Sequence, residues 1–97
     1  MSLTSKQRRF LRGMAHHLKP IILVGQHGLT EGVINELDIA LEHHELVKVK
    51  IAGADRESRR EMVQTMCERT ESEAVQTIGN TATLFRQRDE DSDFELS

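Results

Sequence analysis

The chain has 97 residues, 37% of them hydrophobic, one cysteine and a formal net charge of −3. That size predicts one domain, the lone Cys67 rules out an internal disulfide, and no apolar run approaches the roughly 18 residues of a membrane span or follows the first charges as a signal peptide would, so a cytoplasmic protein is expected. The net charge alone argues against an anionic partner, but its distribution reverses that: residues 1–30 carry five Lys/Arg and no acid, and without the five acids of residues 89–97 the rest holds 13 bases against 11 acids.

Thr4 and Gln7 have capping-box spacing, which predicts a helix over 4–15. Phe10, Leu11, Met14 and Leu18 read as its core stripe, extended by Leu3, with the cations Lys6, Arg8, Arg9 and Arg12 facing away. Pro20 stops that helix, and residues 20–24 (PIILV) read as a short buried strand. Thr30 then caps a second helix, whose stripe Val33, Ile34, Leu37, Ala40 and Leu41 runs to about His44. Residues 46–51 (LVKVKI) alternate, placing Val47, Val49 and Ile51 on one side and Lys48 and Lys50 on the other.

Asp55 caps a third helix over about 56–70, with Met62, Val63 and Met66 as its stripe and Cys67 at the margin. AVQTI (74–78) and ATLFR (82–86) flank Gly79-Asn80-Thr81, a hairpin signal. Residues 1–88 are read as one domain. Residues 89–97 (DEDSDFELS) are acidic and almost core-free, and are expected to be a disordered tail. The order α-β-α-β-α-β-β, with helical crossovers and a final hairpin, predicts an α/β fold with one four-stranded mixed sheet covered by helices.

The first strand ends in Gly25, Gln26, His27 and Gly28, followed by the helix start at Thr30. Glycine permits positive φ and close approach of another backbone, and free N–H groups at a helix start favour an anion. His27 adds a donor. This is neither GxxxxGK[ST] nor GxGxxG, and a four-residue GxxG alone also describes an ordinary strand-to-helix turn. The acid-free cationic segment, with Lys19, shifts the reading toward a footprint for a polyanion. Lys48, Lys50 and Arg86 extend it if their sheet face is open; Arg86 can equally close the hairpin.

The stretches LTSKQRRFLRGMAHHLKPIILVGQHGLTEGV, LEHHELVKVKIA and QTIGNTATLFR together resemble a bacterial YhbY-type protein, a stand-alone CRM (chloroplast RNA splicing and ribosome maturation) domain. The resemblance spans residues 3–86. It implies a fold similar to the C-terminal domain of a bacterial translation initiation factor. It also implies RNA binding through Gly25, Gln26, His27 and Gly28 and the neighbouring basic surface, on precursors of the large ribosomal subunit. Plant CRM domains often place basic residues between the two glycines, where this chain has Gln26 and His27, and Asn80 stands where related bacterial chains carry a lysine.

An enzyme is not expected. His16–His17 and His43–His44 are adjacent pairs, which diverge by about 100° on a helix and do not chelate. No nucleophile with a base and no argued carboxylate pair is present, so neither cofactor nor metal is expected. The reading is a monomeric, non-enzymatic protein that contacts structured ribosomal RNA, with ribosomal proteins as further partners. The rival is a protein–protein module that docks a basic ribosomal protein on the acidic face of the second helix, at Asp38 and Glu42.

Overall fold

The computed structural model describes residues 2–96; Met1 and Ser97 lie outside them. The elements follow in the order α1 (Ser5–Ala15), β1 (Ile22–Val24), α2 (Glu31–His44), β2 (Leu46–Ile51), α3 (Arg56–Thr70), β3 (Glu73–Ile78) and β4 (Thr81–Phe85). The strands form one mixed sheet in the order β1-β2-β4-β3. β1 and β2 are parallel, with Val24 opposite Ile51, and β4 lies antiparallel to both β2 and β3.

Local chemistry sets the helix starts. Thr4 and Gln7 form the capping box of α1, and the Thr30 and Asp55 side chains accept from Val33 N–H and Ser58 N–H. Each cap satisfies a backbone donor that the helix itself leaves open.

The alternation of β2 divides the molecule into two layers. Val47, Val49 and Ile51 face α2 and α3, where they join Val24, Leu37, Leu41, Met66 and Leu84 in the main core. Leu46, Lys48 and Lys50 face the other way. Only the first of them is covered: Leu46, Val75 and Phe85 pack with Leu3, Leu11 and Ala15 of the α1 segment. A bulge between Ala74 and Gln76 turns Val75 to that side.

Helix α1 therefore covers one end of its sheet face, and of the stripe expected it buries Leu3 and Leu11 but not the rest. Leu11 and Ala15 are buried, whereas Phe10, Met14 and Leu18 are 47%, 49% and 40% exposed. Leu11 and Ala15 lie about 100° from Phe10 and Met14 on the helix. A helix resting on three side chains at a sheet end needs only the former pair.

The acidic segment, expected to be disordered, has specific contacts in this structure. The Glu45 carboxylate is buried and accepts from Arg88 N–H (2.8 Å), Asp93 N–H (2.7 Å) and Ser92 Oγ (2.6 Å). Phe94 meets Phe85 edge to face at 5.4 Å, and Leu96 joins the same cluster. Two apolar residues among the acids supply what the composition concealed. Burial pushes the Glu45 carboxyl up, but the three hydrogen bonds and the Arg88 charge outweigh it and hold the group below its ordinary value.

Candidate nucleic-acid interface

The glycine turn lies at the end of the sheet where the parallel strands finish. Ala52 N–H donates to Val24 carbonyl oxygen, and Ile51 N–H donates to Asn80 carbonyl oxygen, so the exits of β1 and β2 and the β3–β4 turn are neighbours. In open α/β sheets this carboxyl end is where ligands bind. Gly28 N–H donates to Gly25 carbonyl oxygen at 3.0 Å, closing the turn with Gln26 and His27 exposed at its tip. Thr30 follows as the cap of α2.

The two glycines have different reasons to be glycine. Gly28 has φ +74°, which a side chain would strain. Gly25 has no positive φ, and a Cβ added there would meet nothing within 4 Å. The fold does not require a glycine at Gly25. Its bare surface faces outward.

From this turn the open half of the α1-side face runs across the sheet. Leu23 lies opposite Lys50 in the β1–β2 register, and Lys48 and Lys50 lie opposite Thr83 and Thr81 of β4. Gln76 and Ile78 complete the face from β3, and it contains no acid. A shallow cavity of about 250 Å³ bounded by Pro20, Lys48, Gln76, Ile78, Thr81 and Thr83 marks its middle. Ile21, Leu23 and Ile78 are more than half exposed beside the lysines.

Helix α1 lies at the far end of that face, about 17 Å of strand away at ~3.3 Å per residue. Lys6, Arg9, Arg12 and Lys19 are exposed there and have no ion-pair partner among the described residues. The expected seat, with these cations directly beside the turn, is thus extended: the α1 cations come first, then Lys48 and Lys50, then Gly25.

Two expected members are engaged elsewhere. Arg8 donates through Nη1 to Ala74 carbonyl oxygen and lies 3.8 Å from the Glu73 carboxylate. Arg86 leaves the set altogether. Its guanidinium donates to Asp38 Oδ1 (2.6 Å), Thr70 carbonyl oxygen (2.8 Å) and Asp38 carbonyl oxygen (3.0 Å), with Glu42 at 3.7 Å. It ties α2, α3 and the end of β4 together. Residue 86 is the first after β4, where the chain turns toward the helices, and the strand pattern carries no sign of that.

Arg56, Arg59 and Arg60 of α3 were not anticipated from the sequence. They lie at the β3 edge of the same sheet end, beside Gly79 of the β3–β4 turn. At 100° per residue the three share an arc of about 100°, with Glu57 and Glu61 on the next one. That segregation was visible in RESRRE, but the balanced charge of the stretch masked it.

Among the described residues no group of three His, Cys, Asp or Glu side chains could hold a metal ion. Cys67 is half-buried, and burial raises its thiol pKa, the setting of an unreactive cysteine. No helix among the described residues is long and apolar enough to cross a membrane.

The sequence profile of the CRS1/YhbY (CRM) domain matches residues 3–86, from the start of the α1 segment to the end of β4. The chain belongs to this family. The CRM domain is 48% identical over 89 residues to the Haemophilus influenzae "RNA-binding protein", covering 92% of this chain and 90% of that one. It is 40% identical to the Bacillus subtilis "Probable RNA-binding protein YqeI", covering 97% and 98%. The solution structure of the hypothetical protein SAV1595 from Staphylococcus aureus superposes with a TM-score of 0.86 at 38% identity, covering 99% of this CRM domain and all of that chain.

Proposed function

We propose that this CRM domain binds structured RNA of large-subunit ribosomal precursors and acts in their assembly, as a cytoplasmic monomer and without turnover chemistry. The observation that carries the reading is Gly25: a glycine the fold does not need, placed where an acid-free lysine face reaches the carboxyl end of the sheet. A sugar-phosphate backbone can approach such a turn as closely as its own atoms allow. Phe85 is buried and Phe94 packs on it, which leaves Phe10 as the half-exposed aromatic. Contacts to backbone and shape thus dominate over stacking on bases.

The rival docking of a basic protein on α2 needs Asp38 and Glu42. Both already face Arg86, which answers part of the negative charge that such a partner would need.

The test is retention of deproteinised large-subunit rRNA fragments on the immobilised domain, against small-subunit fragments, over a salt series. Tight binding of a large-subunit fragment that falls steeply with salt is expected. No retention at low salt would remove RNA binding, and equal retention of both sets would remove the large-subunit assignment.

A further inference from the structure

A second basic feature lies at the same end of the sheet as the glycine turn, on the opposite face from Lys48 and Lys50 and at the β3 edge. Between the first turns of α3 and the β3–β4 turn there is a cleft of about 400 Å³, lined by Arg56, Arg59, Arg60, Val63, Thr77 and Gly79. A water molecule takes up about 30 Å³ in the liquid, so the cleft can admit a phosphate with part of its sugar.

Its charge is answered only in part: the Asp55 carboxylate feels the Arg59 charge but forms no ion pair with it. Arg8, Arg69, Arg86 and Arg88 each lie within 4 Å of a carboxylate. Arg56, Arg59 and Arg60 have no such partner among the described residues. Glu57 and Glu61 do not line the cleft, and Asp55 is committed as the cap of α3. Three guanidinium groups gathered with one nearby carboxylate still repel one another on balance. Arg59 is also held in place, donating through Nη1 to Ala54 carbonyl oxygen at 2.6 Å. The rest of its planar fork remains for a ligand, and bidentate forks suit phosphate oxygens.

The cleft and the glycine turn share one end of the sheet. A Cβ at Gly28 would lie 3.9 Å from the Met62 methyl of α3, the helix that carries the arginines. The strand exits link the two, since Ala52 N–H donates to Val24 carbonyl oxygen and Ile51 N–H to Asn80 carbonyl oxygen, next to Gly79.

We infer that the cleft of Arg56, Arg59 and Arg60 is a second phosphate seat for the RNA, so that RNA at the glycine turn is held from both sides of the sheet end. This rests on the RNA-binding reading above and adds where the chain of phosphates goes. Val63 forms an apolar wall and the Thr77 hydroxyl offers a neutral hydrogen bond, a lining that tolerates any base sequence.

The experiment uses the full chain and the large-subunit rRNA fragment that it retains best. The R56Q/R60Q double variant leaves Arg59 and its Ala54 bond intact. It is expected to bind roughly tenfold more weakly, and to lose about 0.9 from the salt slope for each duplex phosphate released. R69Q, which removes a cation already paired with Glu31, serves as the charge control and is expected to bind as the parent does. Independently of any variant, the Nε–Hε resonances of Arg56, Arg59 and Arg60 are expected to shift on adding RNA to the parent protein.

Unmoved resonances, or an unchanged salt slope in R56Q/R60Q while R9Q/R12Q weakens binding, would overturn the cleft and leave the RNA reading standing. Equal loss in R69Q would reduce the effect to net charge and also overturn it. Shifts with inorganic phosphate but none with RNA would make it a free-anion site instead. If the parent retains no RNA at low salt, both readings fall.

Discussion

The cations next to the strand ends are treated in opposite ways at the two ends of the sheet, while Lys6, Arg9, Arg12 and Lys19 of the α1 segment stand outside that comparison, unpaired among the described residues. Where β2 begins and β4 ends, charge is answered from within: Arg8 by Glu73, Arg86 by Asp38 and Glu42, Arg88 by Glu45 and Asp93. Arg88 also donates to the Glu42 and His43 carbonyl oxygens, satisfying the exposed end of α2. Where β1 and β2 finish, the side chains of Lys50, Arg56 and Arg60 have neither hydrogen bond nor ion pair among the described residues, and that of Arg59 donates to a backbone oxygen with Asp55 nearby. Composition cannot separate these roles, because both ends use the same residue types. What separates them is whether the fold brings a carboxylate to the guanidinium.

The largest effect is expected at the closed end. Glu45→Ala removes a buried acceptor from two N–H groups, a hydroxyl and the Arg88 charge, and should cost about 3 kcal/mol in urea unfolding. RNA affinity should stay within twofold. A variant that kept its stability would show that the internal pairing there is dispensable and would weaken the contrast between the ends.

Acid should act through the same group. The folded Glu45 pKa is depressed, so its contribution is complete above the ordinary glutamate value of about 4.3 and is lost as pH falls through the folded value. The protection of the Asp93 amide against exchange, relative to the unfolded chain, should fall as pH drops below the ordinary glutamate range, before protection in β2 does; simultaneous loss would mean that the acidic segment and the sheet unfold as one unit.

The glycine turn separates folding from binding. Gly28→Val forces a β-branched residue to φ +74° and should cost about 1–2 kcal/mol of stability as well as affinity. Gly25→Ala should leave the unfolding midpoint unchanged and still weaken RNA binding severalfold. Equal affinity in Gly25→Ala would return the loop to an ordinary turn.

A smaller change in affinity, with unchanged circular dichroism, is expected from R9Q/R12Q, about twofold to threefold at low salt and fading as salt rises. Smallest of all is R69Q. Its partner Glu31 is exposed, and no measurable shift in the unfolding midpoint is expected.

Much of this architecture is legible in the sequence, because local signals specify it. Thr4, Thr30 and Asp55 announce three helices, the alternation in LVKVKI announces β2, and Gly79-Asn80 announces the hairpin. The misplaced features depend on long-range packing. Leu11 is on the expected stripe and is buried, but Phe10 and Met14 look as good beside it as Ala15, and only the extent of the sheet that α1 covers decides between them. Arg86 looks like any cation after a strand until Asp38 of a distant helix meets it. The α3 arginines were obscured by their own glutamates. The tail's two apolar residues have a site only once Phe85 and Leu46 are assembled beneath them.

The strand order has one more consequence. Because β4, the last strand of the chain, is inserted between β2 and β3, the sheet cannot be completed outward from its first strands. A polypeptide emerging during synthesis holds an unpaired β2 edge until residues 81–85 have left the exit tunnel. The domain must therefore assemble late and nearly all at once, and a product that stops short of Thr81 loses the middle of its sheet rather than a margin.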